Sequence, residues 1–166
     1  KEPLLPEKLL QLIHWTHEYY HHPIGDTIFT ALPKLLREGR EVDDLVIPLP
    51  PINNDEAIIP TPTTHQQKAI DAITTTSGFQ PFVLDGITGS GKTEVYIRAI
   101  EKVLRQGKQA MVLVPEIALT PQMHNQFLSR FKHVAILHSA MNNRRRHQQW
   151  RQIADGHAQV VIGPRS

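Results

Sequence analysis

Eight residues carry the clearest chemistry: Gly86-Ile87-Thr88-Gly89-Ser90-Gly91-Lys92-Thr93. Their pattern is G-x-x-x-x-G-K-[ST], which arises by chance in about one random chain of this length in two hundred. Glycines let a backbone curl until several N–H groups point at one centre. A helix beginning at the end of the loop adds partial positive charge there. Lys92 then suits the β- and γ-phosphates of a nucleoside triphosphate, and the Thr93 hydroxyl suits Mg²⁺. Lys92 and Thr93 are therefore the candidate catalytic residues. The whole run, Gly86 to Thr93, is the candidate phosphate site, with Thr93 as the Mg²⁺ ligand.

A P-loop enzyme also needs an acid at the end of another strand to hold Mg²⁺ and its water. Asp43, Asp44, Asp55 and Glu56 lie in or beside a proline-rich stretch, Asp85 ends the segment entering the loop, and Asp155 ends a polar helix. Glu116 alone follows an apolar run, Val112-Leu113-Val114-Pro115, in a suitable place. It suits either a water-activating role or the ordering of its own loop. Among the cations, Arg144-Arg145-Arg146 falls on a polar helix, where a charge run forms a solvated face. Gly163-Pro164-Arg165-Ser166 follows a strand and is better placed for a ligand. The neighbours His21-His22 point apart on a helix and lack metal-ligand spacing. Tyr19-Tyr20 suits packing better than base stacking.

The flanking segments predict what must position these groups. Residues 6–22 have helical spacing, with Leu9, Leu12, Ile13, Thr16 and Tyr20 on one face and Pro6-Glu7 in the first turn. Pro23 ends that helix. Ile24-Gly25-Asp26 is expected as a turn, and a second helical stretch is interrupted by Pro33 and stopped by Gly39. Residues 42–63 hold five of the thirteen prolines and read as an extended linker. From Thr64, an expected N-cap, helix and strand alternate: a helix closed by Gly78, a strand over 81–85, the loop, a helix to Gln106, and a strand over 110–114. A helix over 121–131, a strand over 134–137, a polar helix over 142–154 and a strand over 160–163 complete the order. The unbroken apolar run Ala110 to Val114 predicts a strand buried on both faces.

Four strands with three helical crossings predict an α/β fold with a parallel sheet and ligand loops at the strands' carboxyl ends. The expected domains are 1–41, a helical piece; 42–63, the linker; and 64–166, the nucleotide-binding unit. Hydrophobic residues are 40% and charged residues 20% of the 166, which suits a globular core and not wholesale disorder. No apolar run approaches a membrane span, and Lys1-Glu2-Pro3 is no signal peptide. The chain has no cysteine, so disulfides and cysteine zinc sites are excluded within it, compatible with a cytoplasmic location. A net charge of +2 is too weak to argue for nucleic acid by itself. The missing initial Met, and a last strand that ends with the chain, lead us to expect a piece of a longer protein.

Several runs taken in order carry a resemblance. They are Gly86 to Tyr96, Gly107-Lys108-Gln109-Ala110, Val114 to Gln122, Leu137-His138-Ser139 and Ile162 to Ser166. Together they resemble the primosomal protein N′ (PriA) family of bacterial replication-restart helicases. Trp15 to Leu36, with Tyr19 to Asp26 and Ala31-Leu32-Pro33, looks like the end of that family's N-terminal DNA-binding domain.

The resemblance implies a RecA-like helicase lobe, incomplete here, in an ATP- and Mg²⁺-dependent DNA helicase of superfamily two. Such an enzyme moves 3′ to 5′ on single-stranded DNA, recognises stalled forks and starts primosome assembly. Its implied partners are single-stranded and forked DNA, other primosomal proteins and single-stranded-DNA-binding protein, with no membrane. Gln66, in Thr64-His65-Gln66, matches the glutamine that reads the adenine. The loops Pro115 to Gln122 and Gly163 to Ser166 resemble the DNA-backbone motifs. Thr120, His138, Ser139, Arg165 and Ser166 become candidate DNA contacts, and Glu116 moves away from catalysis. Pro164 departs from the family's usual threonine and supplies no hydroxyl. The family's winged-helix domain, acid motif, second lobe and zinc-binding cysteines have no counterpart in these residues, so zinc is expected only in the rest of a complete protein. This chain alone is expected to bind nucleotide weakly without turnover. Two other classes remain open on the residues: another P-loop ATPase or kinase using Glu116, and a non-catalytic DNA-binding module.

Overall fold

The computed structural model describes residues 4–40, 60–115 and 118–164. They divide into two compact units, one holding the N-terminal helices with Ala140–Trp150, the other holding the rest of the described residues.

In the N-terminal helices the prolines set the boundaries. Pro6 is extended and precedes α1 (Glu7–Tyr20), whose first turn carries Glu7. Helix α1 stops because His21 adopts a left-handed conformation at φ 51°, and Pro23 follows. Pro23 precedes α2 (Ile24–Ala31), and Pro33 precedes α3 (Lys34–Arg37). Ile24-Gly25-Asp26 is thus the first turn of α2 and not a free turn, because a proline ahead of a helix lacks only an N–H that would have no partner there. The helical stretch beyond it is interrupted at Pro33 as its sequence predicts. Ile13 and Thr27 are buried in this pair of helices, and the Thr27 hydroxyl donates to the Pro23 carbonyl at 3.1 Å. Trp15 stacks on Tyr19 at 4.9 Å between ring centroids, and Tyr19 meets Tyr20 edge-on at 4.9 Å.

The second unit opens with α4 (Thr64–Thr75). Its N-cap is Thr63, one residue before the expected Thr64. The Thr63 hydroxyl accepts from the Gln66 N–H at 3.3 Å, and the Gln66 side chain accepts from the Thr63 N–H at 2.8 Å. This reciprocal capping box needs threonine and glutamine three apart, which Thr63 with Gln66 supply, as Thr64 with Gln67 would have done by spacing. Helix α5 (Lys92–Arg105) buries Val95, Ile97, Ala99 and Ile100 and packs on α4. Three strands follow, β1 (Ala110–Val114), β2 (Val134–Ile136) and β3 (Val160–Pro164), with α6 (Pro121–Leu128) between β1 and β2 and α7 (Asn143–Ala154) between β2 and β3.

The sheet is parallel with β3 in the centre, in the order β1-β3-β2. Val160 and Ile162 of β3 are fully buried. With Ile97 and Ile100 of α5, Phe127 and Phe131 at the end of α6, and Val134 of β2 they form the core. Parallel strands need crossover connections; α6 lies in the one from β1 to β2, and the one from β2 to β3 contains α7, most of which belongs to the first unit.

Two expectations about the sheet are corrected. Residues 81–85 form no strand: Val83 is 95% exposed, and no described strand lies beside them. An apolar run becomes a strand only where its backbone groups find a ladder partner. Three strands are therefore described, not four. β1 is also not buried on both faces. Ala110, Val112 and Val114 pack on the core, whereas Met111 is 71% and Leu113 56% exposed. β1 is an edge strand with only one face covered, a distinction that an all-apolar run cannot carry.

The result is an α/β fold with a parallel sheet, together with a small helical N-terminal piece. Among the described residues no helix is long and apolar enough to cross a membrane.

Candidate functional site

The glycine-rich loop earns its shape at two positions. Gly89 and Gly91 have φ of 82° and 80°, a region costly to a residue with a Cβ. Gly91 is the N-cap of α5, so the loop ends at the positive end of that helix, and Lys92 and Thr93 are its first two residues. The Ser90 N–H donates to the Ile87 carbonyl at 3.2 Å, which tightens the turn. The Lys92 ammonium folds back into the curl and donates to the carbonyls of Gly86 and, at 2.9 Å, of Ile87. A cation thus sits at the focus of the loop, held only by neutral carbonyls. The expectation that this loop follows a strand fails, since 81–85 is not one; it enters α5 directly.

Gln66 comes to the loop from α4. Its Nε2 donates to the Ser90 carbonyl at 3.1 Å, while its Oε1 is held by the Thr63 N–H. A Cβ built on Gly91 would stand 2.4 Å from Gln66 Nε2. Gln66 therefore touches the loop through an amide already engaged with backbone. A cavity of about 640 Å³ opens beside the loop, lined by residues 88–94 and, from α6 and the turn after it, by Gln126, Ser129 and Arg130. That volume lies within the range of small-ligand sites.

Two residues that bind this region together have no signal in the loop pattern. Glu94, next to Thr93, pairs with Arg98 at 2.7 Å and with Arg130 at 3.5 Å. Arg130 also holds Glu101 through Nε at 2.9 Å and Nη2 at 2.5 Å. Arg98 reaches the Pro60 carbonyl at 2.6 Å. The Glu94–Arg98 spacing of four is legible on a helix. The partnership with Arg130 joins residues 36 apart and is not.

Of the candidate DNA contacts, Thr120, His138 and Ser139 are described, and they follow β1 and β2 in the chain. Thr120 is the N-cap of α6, and its hydroxyl accepts from the Met123 N–H at 3.2 Å, which leaves its own hydrogen to donate. Val114, at the end of β1, is in register with Pro164 at the end of β3. The Leu137 N–H, just past β2, donates to the Ile162 carbonyl at 2.8 Å. A Cβ on Gly163 would stand 3.2 Å from the Leu137 carbonyl oxygen, so glycine lets the two backbones close. His138 and Ser139 therefore follow directly on this edge. The His138 ring lies 6.5 Å from that of His124 on α6, whose Nε2 is buried without a hydrogen-bond partner. Burial, and secondarily the His138 charge, push the His124 pKa below the usual imidazole value. Glu116, Arg165 and Ser166 lie outside the described residues, as does most of the 42–63 linker. Among the described residues no group of three or more His, Asp or Glu side chains could hold a metal ion.

A parallel α/β sheet with a lysine-centred glycine loop at a helix N-terminus defines a class, and residues 63–166 match the DEAD/DEAH box helicase family. The chain belongs to that family. Residues 1–33 match the 3′DNA-binding domain of PriA proteins.

Relatives named "Replication restart protein PriA" agree with the resemblance drawn from the motifs. That of Treponema pallidum is 38% identical over 100% of this chain and 25% of its own length. That of Bacillus subtilis is 46% identical over 64% of this chain and 14% of its own length. That of Chlamydia pneumoniae is 48% identical over 61% of this chain and 14% of its own. The chain thus spans a quarter or less of the length of these relatives.

Proposed function

We propose that these residues belong to an ATP-dependent DNA helicase of replication restart, acting 3′ to 5′ at stalled forks and initiating primosome assembly. The observation that carries the reading is Lys92, a cation at the focus of a positive-φ glycine loop on the N-terminus of α5. The residues fit a Mg²⁺-bound triphosphate. The loop from Gly86 to Gly91 would wrap the phosphates, Lys92 would exchange its two carbonyl partners for phosphate oxygens, and the Thr93 hydroxyl would ligate Mg²⁺. The metal, when bound, neutralises charge on the phosphates. Gln66, close to the loop, is the candidate for reading the base.

Thr120, His138 and Ser139 are the described candidates for the DNA backbone, with Arg165 and Ser166 beyond them. All five follow strand ends, where open α/β sheets bind ligands. The match of residues 1–33 to a 3′DNA-binding domain supports single-stranded and forked DNA as the partner. We assign 1–41 to that domain, 42–63 to a linker and 64–166 to helicase lobe 1. Other primosomal proteins, single-stranded-DNA-binding protein and a zinc site would belong to the complete protein.

Turnover needs a strand-end acid, and the family resemblance assigns Glu116, the one candidate in the sequence, to its loop instead. The 166-residue chain by itself is therefore expected to bind nucleotide weakly without hydrolysing it. Two measurements test the reading. Lys92→Ala in the complete protein should abolish unwinding of a tailed duplex, and unchanged unwinding would refute it. DNA-stimulated ATP hydrolysis by the 166-residue chain would refute the claim of inactivity.

A further inference from the structure

Helices α5 and α6 are joined by a charged clamp that the nucleotide and DNA motifs leave unused. Arg130 lies two residues past the end of α6. All three of its guanidinium nitrogens face α5: Nε and Nη2 hold Glu101, and Nη1 stands 3.5 Å from both Glu94 oxygens. The Arg130 and Glu94 side chains are only 10% and 14% exposed. At such burial the pair is shielded from salt, and a planar fork that meets two carboxylates fixes geometry as well as charge. Glu94 and Glu101 are seven apart, two turns along one face of α5.

Glu94 and Arg130 both line the cavity of the proposed nucleotide site, and α6 leads from Arg130 back to the proposed DNA loop. Glu94 follows Thr93 directly, so it fixes the first turn of α5 and with it Lys92 and Thr93. Arg130 is anchored by its neighbours Phe127 and Phe131, both in the core. Helix α6 is one rigid piece of eight residues, and its other end is capped by Thr120 in the proposed DNA loop. A shift of α6 at Thr120 must either move Phe127 out of the core or be carried by Arg130 to Glu94.

We propose that Arg130 is a positioning residue that couples the two sites, so that DNA held at the Thr120 loop tightens the phosphate loop on nucleotide. This rests on the helicase reading above. It adds the residue through which one site reports to the other. Coupling of this kind is reciprocal, so nucleotide must tighten DNA to the same extent.

The test is a binding measurement on the 166-residue chain, using a fluorescent ATP analogue with Mg²⁺, with and without single-stranded oligothymidylate. The wild-type chain should bind the analogue about five-fold or more tightly when DNA is present. Arg130→Met should bind the analogue equally with and without DNA, so that the enhancement is lost whatever its basal affinity. Glu94→Gln, which leaves Arg130 its Glu101 partner, should reduce the enhancement as well, and covers the case in which Arg130→Met fails to fold. Arg130→Lys, which keeps the charge without the fork, should likewise lose the enhancement.

An enhancement that survives both Arg130→Met and Glu94→Gln would overturn the proposal. So would equal weakening with and without DNA in these variants, the mark of a merely structural role. A wild-type chain that binds both ligands with no enhancement also overturns it. A wild-type chain that binds no nucleotide at all refutes the underlying reading instead.

Discussion

Gln66 and Gly91 meet closely: the end of the Gln66 side chain lies where a Cβ on Gly91 would stand. A Cβ there would lie 2.4 Å from Gln66 Nε2, and the Gly91 backbone already sits at φ 80°. Sequence places the two residues 25 apart, one on each of two packed helices. Their approach joins the candidate base reader to the candidate phosphate loop.

The positive-φ backbone makes Gly91→Ala a costly change for a single methyl group. The left-handed backbone alone should cost about 1–2 kcal/mol, and Gln66 must leave the Ser90 carbonyl to make room. Denaturant unfolding should show that loss. Nucleotide affinity should fall with it, and Gln66→Ala in the same background should recover part of the stability by removing the clash, although it also breaks the Thr63 capping box.

Phe127 holds the α6 side of the core and is 1% exposed. Phe127→Ala should destabilise by about 3–5 kcal/mol, since it leaves a cavity between α5, α6 and the sheet. The denaturation midpoint should fall with little change in slope. A shift of less than about 1 kcal/mol would mean that this core is not packed as described.

His124 gives stability a pH dependence of definite sign. Its folded-state pKa lies below the ordinary value of 6.5 because burial, then the His138 charge, disfavours the imidazolium. The unfolded chain therefore takes up the proton first as pH falls. The contribution is fully present above the unfolded value, declines as pH drops through 6.5, and is lost below the folded pKa. The melting temperature should be lower at about pH 5.5 than at about pH 7.5, and His124→Gln should flatten that difference. An unchanged pH profile in the variant would exclude His124 as a source.

Much of this arrangement was legible in the sequence, because it is written in local pattern. Residues 86–93 announce a phosphate loop by glycine spacing, and the helices follow from apolar period and proline positions. The apolar runs at 110–114, 134–136 and 160–164 are strands. What was not legible depends on partners distant in sequence. Phe82-Val83-Leu84 has the composition of a strand, but pairing decides, and no described strand adjoins it. Met111 and Leu113 are as apolar as Val112, yet only sheet order shows that their face of β1 is uncovered. The cap of α4 lies one residue earlier than expected because Thr63 and Thr64 are chemically alike and each has a glutamine three residues on, so spacing does not choose between them. Arg130 carried no signal at all, since its acids lie on another helix.

The central claim is that residues 86–93 hold a Mg²⁺-bound nucleoside triphosphate. Its most direct test is thermal unfolding of the 166-residue chain titrated with Mg²⁺-ATP, beside Lys92→Ala. Among the described residues the Lys92 ammonium hydrogen-bonds to loop carbonyls, so the variant should melt close to wild type without nucleotide. Ligand that binds only the folded state must raise the melting temperature. A saturable rise in wild type that is absent in Lys92→Ala is the predicted result. No rise in wild type, or the same rise in both proteins, would contradict the account.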